Sequence, residues 1–434
     1  MTRRLASVLL SVTVLALTAA SCGGAPGQSS SPPPGPSLSP TSPTLPSPSP
    51  SPSRTPSPSA TLTSPSATSA APSQAPTVSS KPSSSPSGRS CADLVASLSV
   101  DERVGQLFML GVSSDGLTSR AERVLSDGRM GAVIFLGNST AGASSVERLV
   151  RDVRSAAKTP GDVRTMLTVD QEGGQVQRLR GPGFDRIPSA RRQADLSDAT
   201  LARDARTWGE QLRKVGIDAD LAPVADVVPE SFEAVNQPIG RLDRGYGPDA
   251  DVVADKVAAF VQGMDRAGIA TSVKHFPGLG KVRGNTDFVR QVVDDTTTRR
   301  DADLRGFSAG VRADVDMVMI SSAYYERIDP DRRAAFSPTV IETMLRGDLG
   351  FDGVVISDDL AAQAVSDLSP GQRALRFLRA GGDLVIVGNP GLAPDMVEAV
   401  RDEARSDADF ARAVTDKATQ VVAMKARRGL ADCG

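Results

Sequence analysis

The chain has a single histidine, His275, and only three cysteines, Cys22, Cys91 and Cys433, with no Cys-x-x-Cys spacing among them. A structural zinc site, which draws on clustered Cys and His, has no ligand set here. An excess of positive charge is also missing. Lys and Arg number 49 against 51 Asp and Glu, a net charge of −2, so the phosphate-neutralising surface of a nucleic-acid binder is not expected. Neutral partners suit this balance better. The apolar run at residues 5–17 is too short to span a bilayer comfortably.

What is present begins with residues 1–21, where Arg3 and Arg4 precede the apolar run and Thr18-Ala-Ala-Ser21 lead into Cys22. This pattern reads as an export signal. It resembles a bacterial lipoprotein signal, with Ala19 where such signals usually carry Leu. The resemblance implies cleavage before Cys22, a lipid on that thiol, and membrane contact only through this anchor at the outer face of the cell membrane. An ordinary secretory signal with an incidental Cys, giving an extracellular protein, is the alternative. Residues 22–89 are almost wholly Pro, Ser, Thr, Gly and Ala. With few large apolar groups to offset the entropy of ordering, they are expected to be disordered, a semi-stiff tether without catalytic function. Cys91 and Cys433 bracket the remaining domain, 90–434, and in an oxidising compartment a disulfide between them is the economical expectation.

Through that domain, short aliphatic runs alternate with stretches of helical spacing, the βα repeat of a parallel sheet. Eight strands are predicted, at 106–112, 132–136, 165–169, 218–223, 271–275, 317–321, 353–357 and 384–387. Amphipathic helices are predicted between them, for example at 201–215, 250–267 and 338–349. Eight units favour a single (β/α)₈ barrel of the TIM type over an open sheet. In such barrels chemistry sits at the C-terminal strand ends. Polar residues collect there: Asp170-Gln-Glu-Gly-Gly174 after the third strand, Lys274-His-Phe-Pro-Gly278 at the fifth, and Ser357-Asp-Asp359 at the seventh.

Three segments, Val169-Asp-Gln-Glu-Gly-Gly-Gln-Val-Gln-Arg178, Lys274-His-Phe-Pro-Gly278 and Phe351-Asp-Gly-Val-Val-Ile-Ser-Asp-Asp-Leu360, resemble glycoside hydrolase family 3. Within it the closer likeness is to the single-domain β-N-acetylhexosaminidases. The similarity runs from about Leu94 to Arg428, with the motifs in order. It implies a retaining, exo-acting hydrolase of β-linked amino-sugar glycans such as peptidoglycan fragments. Asp358 matches the nucleophile of this family. Asp170 and Arg178 are implied to hold hydroxyls of the terminal sugar, Lys274 and His275 to contact substrate, and Arg244 rather than Arg241 to bind sugar. Asp359 could cap the following helix. For Glu172 and Arg180, rim salt bridges are as plausible as substrate contact. No metal or organic cofactor is implied, since carboxylate attack and proton transfer need neither.

The proton donor is where the sequence departs from its relatives. The family's hexosaminidases carry Asp-Ser-His in the loop after the Lys-His-Phe-Pro motif, whereas this chain has Asn285-Thr-Asp287 there, and His275 is its one imidazole. Three outcomes stay open. Asp287 is itself the acid/base, with a pKa raised by burial and by the Asp358 charge; or another acid, Asp243 or Asp226, takes its place; or the barrel is a catalytically impaired glycan-binding lipoprotein. A β-glucosidase of the same family is the alternative among enzymes.

Overall fold

Eight parallel strands carry the architecture of the computed structural model, which describes residues 90–434. The signal segment, Cys22 and the 22–89 stretch lie outside the described residues. The strands are β1 (Phe108–Ser113), β2 (Ala132–Leu136), β3 (Met166–Val169), β4 (Ala219–Asp220), β5 (Ala270–Phe276), β6 (Met317–Ile320), β7 (Val354–Ser357) and β8 (Val385–Val387). They pair in chain order, and β8 returns to pair with β1. The ring closes between β7 and β8, where the Ser357 N–H donates to the Leu384 carbonyl at 3.1 Å beside a parallel bridge from Ile356 to Leu384. This is the (β/α)₈ barrel that the sequence predicts.

Alternation along each strand sorts the side chains. Inward positions such as Met109, Ile134, Met166, Leu221, Met317 and Ile356 form one buried cluster, joined from below by Val421, Met424 and Leu430 of the C-terminal segment. Outward positions such as Leu110, Val133, Leu167, Val318 and Val355 join the larger cluster shared with the helices. The interior is therefore filled and plugged, and polar side chains are forced to the open rim. The helices Asp198–Lys214 and Ala250–Arg266 are capped by Ser197 and Asp249, whose side chains accept from first-turn N–H groups. They approach closely at Gly263, where a Cβ would stand 2.4 Å from the Ala202 carbonyl oxygen.

Several boundaries differ from expectation. Gln106 closes the helix Val100–Gln106, whose Ser99–Glu102 capping box fixes the preceding chain, so β1 starts at Phe108. The fourth strand is cut to Ala219–Asp220 because Pro223 has no N–H to give the ladder. The segment at 338–349 winds as a π-helix over Thr339–Asp348, with Leu349 N–H reaching back to Met344. Not predicted at all are a hairpin of Gln171–Gly173 with Val176–Gln177, and a three-stranded sheet of Val293–Asp294, Tyr324–Tyr325 and Asp329–Arg333. Cys91 and Cys433 are joined by a disulfide, which ties the helix Cys91–Ala96 to the chain following the helix Ala408–Arg427. Among the described residues no helix is long and apolar enough to cross a membrane.

Candidate active site

A cavity of about 430 Å³ opens at the C-terminal strand ends, and Asp170, Arg178, Arg244, Lys274, His275, Asp287 and Asp358 all line it. Its floor is the top of the barrel core, Ile134, Met319 and Ile386. Every site residue expected from the sequence within the barrel thus reaches one space. The remaining candidates do not. Arg241 and Asp243 are exposed on the Gly240–Leu242 turn and its left-handed exit, outside the cavity lining.

On one side of the cavity an ionic lattice fixes the charged side chains. Lys274, 2% exposed, donates from Nζ to Asp170 Oδ1 at 2.6 Å and pairs with Glu172 Oε1 at 2.7 Å. Arg244 forks onto Glu172 at 2.8 and 2.7 Å and donates to the Pro238 carbonyl at 2.8 Å. Glu172 is buried behind the wall and serves as the hub between the two cations. Burial alone would raise its pKa, but Arg244 and Lys274 outweigh that and hold it well below the usual carboxylate range. Asp170 is the carboxylate of this set that lines the cavity. Arg180 turns away and donates to the Gln177 and Gly174 carbonyls. Arg178 reaches Asn138 Oδ1 at 3.2 Å, while its buried Nε has no protein partner.

His275 follows Lys274 through a cis peptide. Its Nδ1 lies 2.8 Å from Asp226 Oδ2, which leaves Nε2 as the ring nitrogen facing elsewhere. Asp226 is fully buried, and its Oδ1 also accepts the His275 and Leu279 N–H groups. So bound, Asp226 orients an imidazole and a loop and lies outside the cavity lining.

Across the cavity, Asp358 stands at the end of β7, its N–H donating to the Ile320 carbonyl at 3.0 Å and its Oδ1 accepting the Asp359 N–H at 2.8 Å. Asp359 does not cap a helix as expected. Its Oδ1 accepts from Ala361 and Gly388, both at 2.8 Å, because the next helical turn, Gln363–Val365, begins too far along the chain. Asp359 therefore stitches the Asp358 turn to β8, where Gly388 is needed: a Cβ there would sit 2.4 Å from Asp359 Oδ2. Asp287 keeps solvent contact at the cavity mouth, yet the surrounding walls strip part of its hydration. That loss, with the Asp358 and Asp359 charges, pushes its pKa up to about 6.

Two residues were not singled out by sequence. Asp220, at the end of β4, is fully buried; Oδ1 accepts the Gln171 N–H at 2.8 Å and Oδ2 has no protein partner. Burial pushes it up to about 8, so it is largely a neutral acid at pH 7 beneath the Asp170–Lys274 pair. The Asp-Ala-Asp run at a strand end was the available signal. Asn236 has none. Its amide donates to the Leu279, Gly280 and Val282 carbonyls at 2.7, 3.1 and 2.8 Å, and its oxygen accepts from Ile239 and Gly240. It thereby locks the loop that carries Arg244 to the loop that leads to Asp287.

A filled barrel whose polar rim brings Asp170, Asp287, Asp358 and Asp359 to one cavity has the carboxyl groups that glycoside cleavage requires. The chain belongs to glycoside hydrolase family 3, whose N-terminal domain description fits residues 99–423. It is similar to a solved β-N-acetylhexosaminidase from Beutenbergia cavernae, with 45% identity and a TM-score of 0.75 over 76% of this chain and 99% of that one. A family 3 β-N-acetylglucosaminidase from Paenibacillus matches at 27% identity and a TM-score of 0.68, over 77% and 63%. By sequence, the β-hexosaminidase of Thioalkalivibrio sulfidiphilus is 36% identical over 306 residues, 68% of this chain and 84% of that protein.

Proposed function

We propose that the chain is a retaining, exo-acting β-N-acetylhexosaminidase of cell-wall-type glycans, with Asp358 as nucleophile and Asp287 as acid/base. The carrying observation is that Asp287, pushed up to about 6, shares one cavity with Asp358 and takes part of its shift from that neighbour's charge. In the first step an Asp358 oxygen attacks the anomeric carbon while the bond to the leaving oxygen breaks, and Asp287 passes its proton to that oxygen. In the second, Asp287 takes a proton from water as the water oxygen displaces Asp358 from the glycosyl ester. Asp170, Lys274, Arg244 and Arg178 supply directional hydrogen bonds to the terminal sugar. A cavity closed below by Ile134, Met319 and Ile386 suits a chain end, which supports exo action. The amino-sugar preference rests on the relatives. Anchoring through Cys22 and the 22–89 tether would hold this barrel off a membrane, among such glycans.

Asp358→Asn is nearly isosteric but cannot form the ester, so hydrolysis of nitrophenyl β-N-acetylglucosaminide should drop by at least about 10³-fold with unchanged circular dichroism. Retention of near-wild-type activity would remove Asp358 as nucleophile. Wild-type turnover of the β-glucoside in preference to the N-acetylglucosaminide would move the chain to the β-glucosidases, and turnover of neither to the glycan-binding alternative.

A further inference from the structure

Phe288 is 77% exposed, while the other exposed large apolar residues among those described, Val235, Val252 and Val289, reach only 37% each. Phe108, Phe135, Phe260, Phe276, Phe307 and Phe377 are by contrast fully or almost fully buried. A phenyl ring left in water is unfavourable, and a loop free to rearrange would fold it inward. This loop is pinned instead. Thr286 is buried, the Asp287 N–H is held by Asn285 Oδ1 at 2.9 Å, and the Phe288 and Val289 N–H groups donate to the Asn285 carbonyl at 3.1 and 3.0 Å. From the loop after β7, the Gln363 and Ala364 N–H groups donate to the Asp287 and Thr286 carbonyls at 3.3 and 3.0 Å. The backbone that carries the ring is fixed with the side chain on the outside, and Phe288 forms part of the same cavity wall as Asp287 and Asp358.

We infer that Phe288 is the platform for the sugar on the leaving-group side of the scissile bond, its ring face taking the apolar C–H face of a pyranose. This rests on Asp287 being the proton donor. A donor stands beside the departing oxygen, and Asp170, Lys274 and Arg178 occupy the wall that would hold the terminal sugar. The next residue along the Asp287 turn, set at the open mouth, therefore meets what leaves. An aromatic face suits a pyranose, whose axial C–H bonds present a weakly positive apolar surface to the negative ring face. Asn285, also on the lining, would offer that sugar its side-chain N–H donors, its Oδ1 being taken by the Asp287 N–H.

The test compares the full chain with Phe288→Ala and Phe288→Trp on two substrates of the same terminal sugar. One is the β-1,4-linked N-acetylglucosamine disaccharide, and the other is N-acetylglucosaminyl fluoride, whose leaving group has no ring. Phe288→Ala should lower kcat/KM for the disaccharide about tenfold, mainly through KM. The fluoride should change less than about twofold, and Phe288→Trp should restore the disaccharide rate. Nitrophenyl glycosides are unsuited, because their own ring can stack. Equal loss on both substrates, or no loss on either, overturns the platform while leaving the hexosaminidase assignment standing. Unchanged kinetics together with weaker co-sedimentation on phosphatidylglycerol vesicles would reassign the ring to membrane contact and overturn it as well. A wild type inert on both substrates removes the proposed function, and the platform falls with it.

Discussion

Two lysines are buried to the same depth at opposite ends of the barrel, and they are held in opposite ways. Lys274 at the rim is 2% exposed and Lys425 beneath the floor 0%. Desolvation disfavours the ammonium form of both. At Lys274 the carboxylates of Asp170 and Glu172 more than offset it, and the pKa rises. At Lys425 the hydrogen-bond partners are neutral, Gln106 Oε1 at 2.7 Å and the Gly131 carbonyl at 2.5 Å, and burial, only partly offset by the charge of Asp218, pulls the group down to about 7. Neighbours, not depth, decide whether a buried cation stays charged. The rim lysine is held charged between carboxylates, whereas the floor lysine is held by a side-chain amide and a backbone carbonyl.

The contrast is broken most severely by Lys274→Met. It leaves Asp170 unpaired and Glu172 with Arg244 alone, and losing one partner of a buried ion pair costs about 3–5 kcal/mol. With Asp170 free to shift, kcat/KM should also fall on the order of 10²-fold, the scale of a misplaced substrate contact. Thermal unfolding and steady-state kinetics on one preparation check both. Normal stability with normal rates would mean that the ionic lattice neither supports the fold nor orients the sugar.

A change confined to rate sharpens the contrast from the rim side. Asp287 must carry its proton to serve as acid, so kcat/KM should decline as pH rises through about 6. Substitution by Ala should remove that alkaline limb. It should slow a disaccharide by about 10²–10⁴-fold but an activated nitrophenyl glycoside much less, since the latter needs little protonation to depart. Azide should partly restore the nitrophenyl rate by attacking the glycosyl ester. Equal losses on both substrates with no azide rescue would demote Asp287 to a residue that shapes the loop.

Much of the rim was legible because rim positions are local. A strand that turns polar at its C-terminal end places Asp170, Lys274, His275 and Asp358 without knowledge of any distant contact. Alternation likewise gave the eight strands, within a few residues at most boundaries. What escaped depends on partners far along the chain. Asn236 looks like an ordinary loop amide until the 279–282 carbonyls fold onto it. Asp220 needs Gln171 beside it to show what it does, and the salt-bridge reading of Glu172 acquires its partner Arg244 only from 72 residues away. The three-stranded sheet pairs segments from separate loops, so no single stretch carries its pattern. Lys425 falls on the apolar stripe four residues after Val421, an out-of-pattern cation whose acceptors lie 319 and 294 residues away.

The smallest expected effect is at that position, and its sign follows from proton binding. Between about pH 7 and 10 an unfolded lysine holds a proton that folded Lys425 has released. The unfolded state binds more protons there, so the contribution of Lys425 to stability rises with pH. Lys425→Met removes the ionisable group while keeping an unbranched apolar stem. The Gly131 carbonyl still accepts the Met166 N–H at 3.0 Å, and Gln106 Oε1 is the group left wanting a donor. Wild type should therefore gain roughly 2–3 kcal/mol on the variant between pH 6 and pH 9, with the variant relatively strongest at the acid end. Asp220, pushed up to about 8, titrates in the opposite sense over part of this range. It is present in both proteins, and it cancels when the two are compared at each pH. Hexosaminidase kinetics should be unchanged, since Lys425 lies below the filled core. Denaturant unfolding at several pH values measures the difference. A constant offset between variant and wild type from pH 6 to 9 would show that Lys425 does not titrate in this window, and the contrast with Lys274 would then be one of hydrogen-bond partners alone.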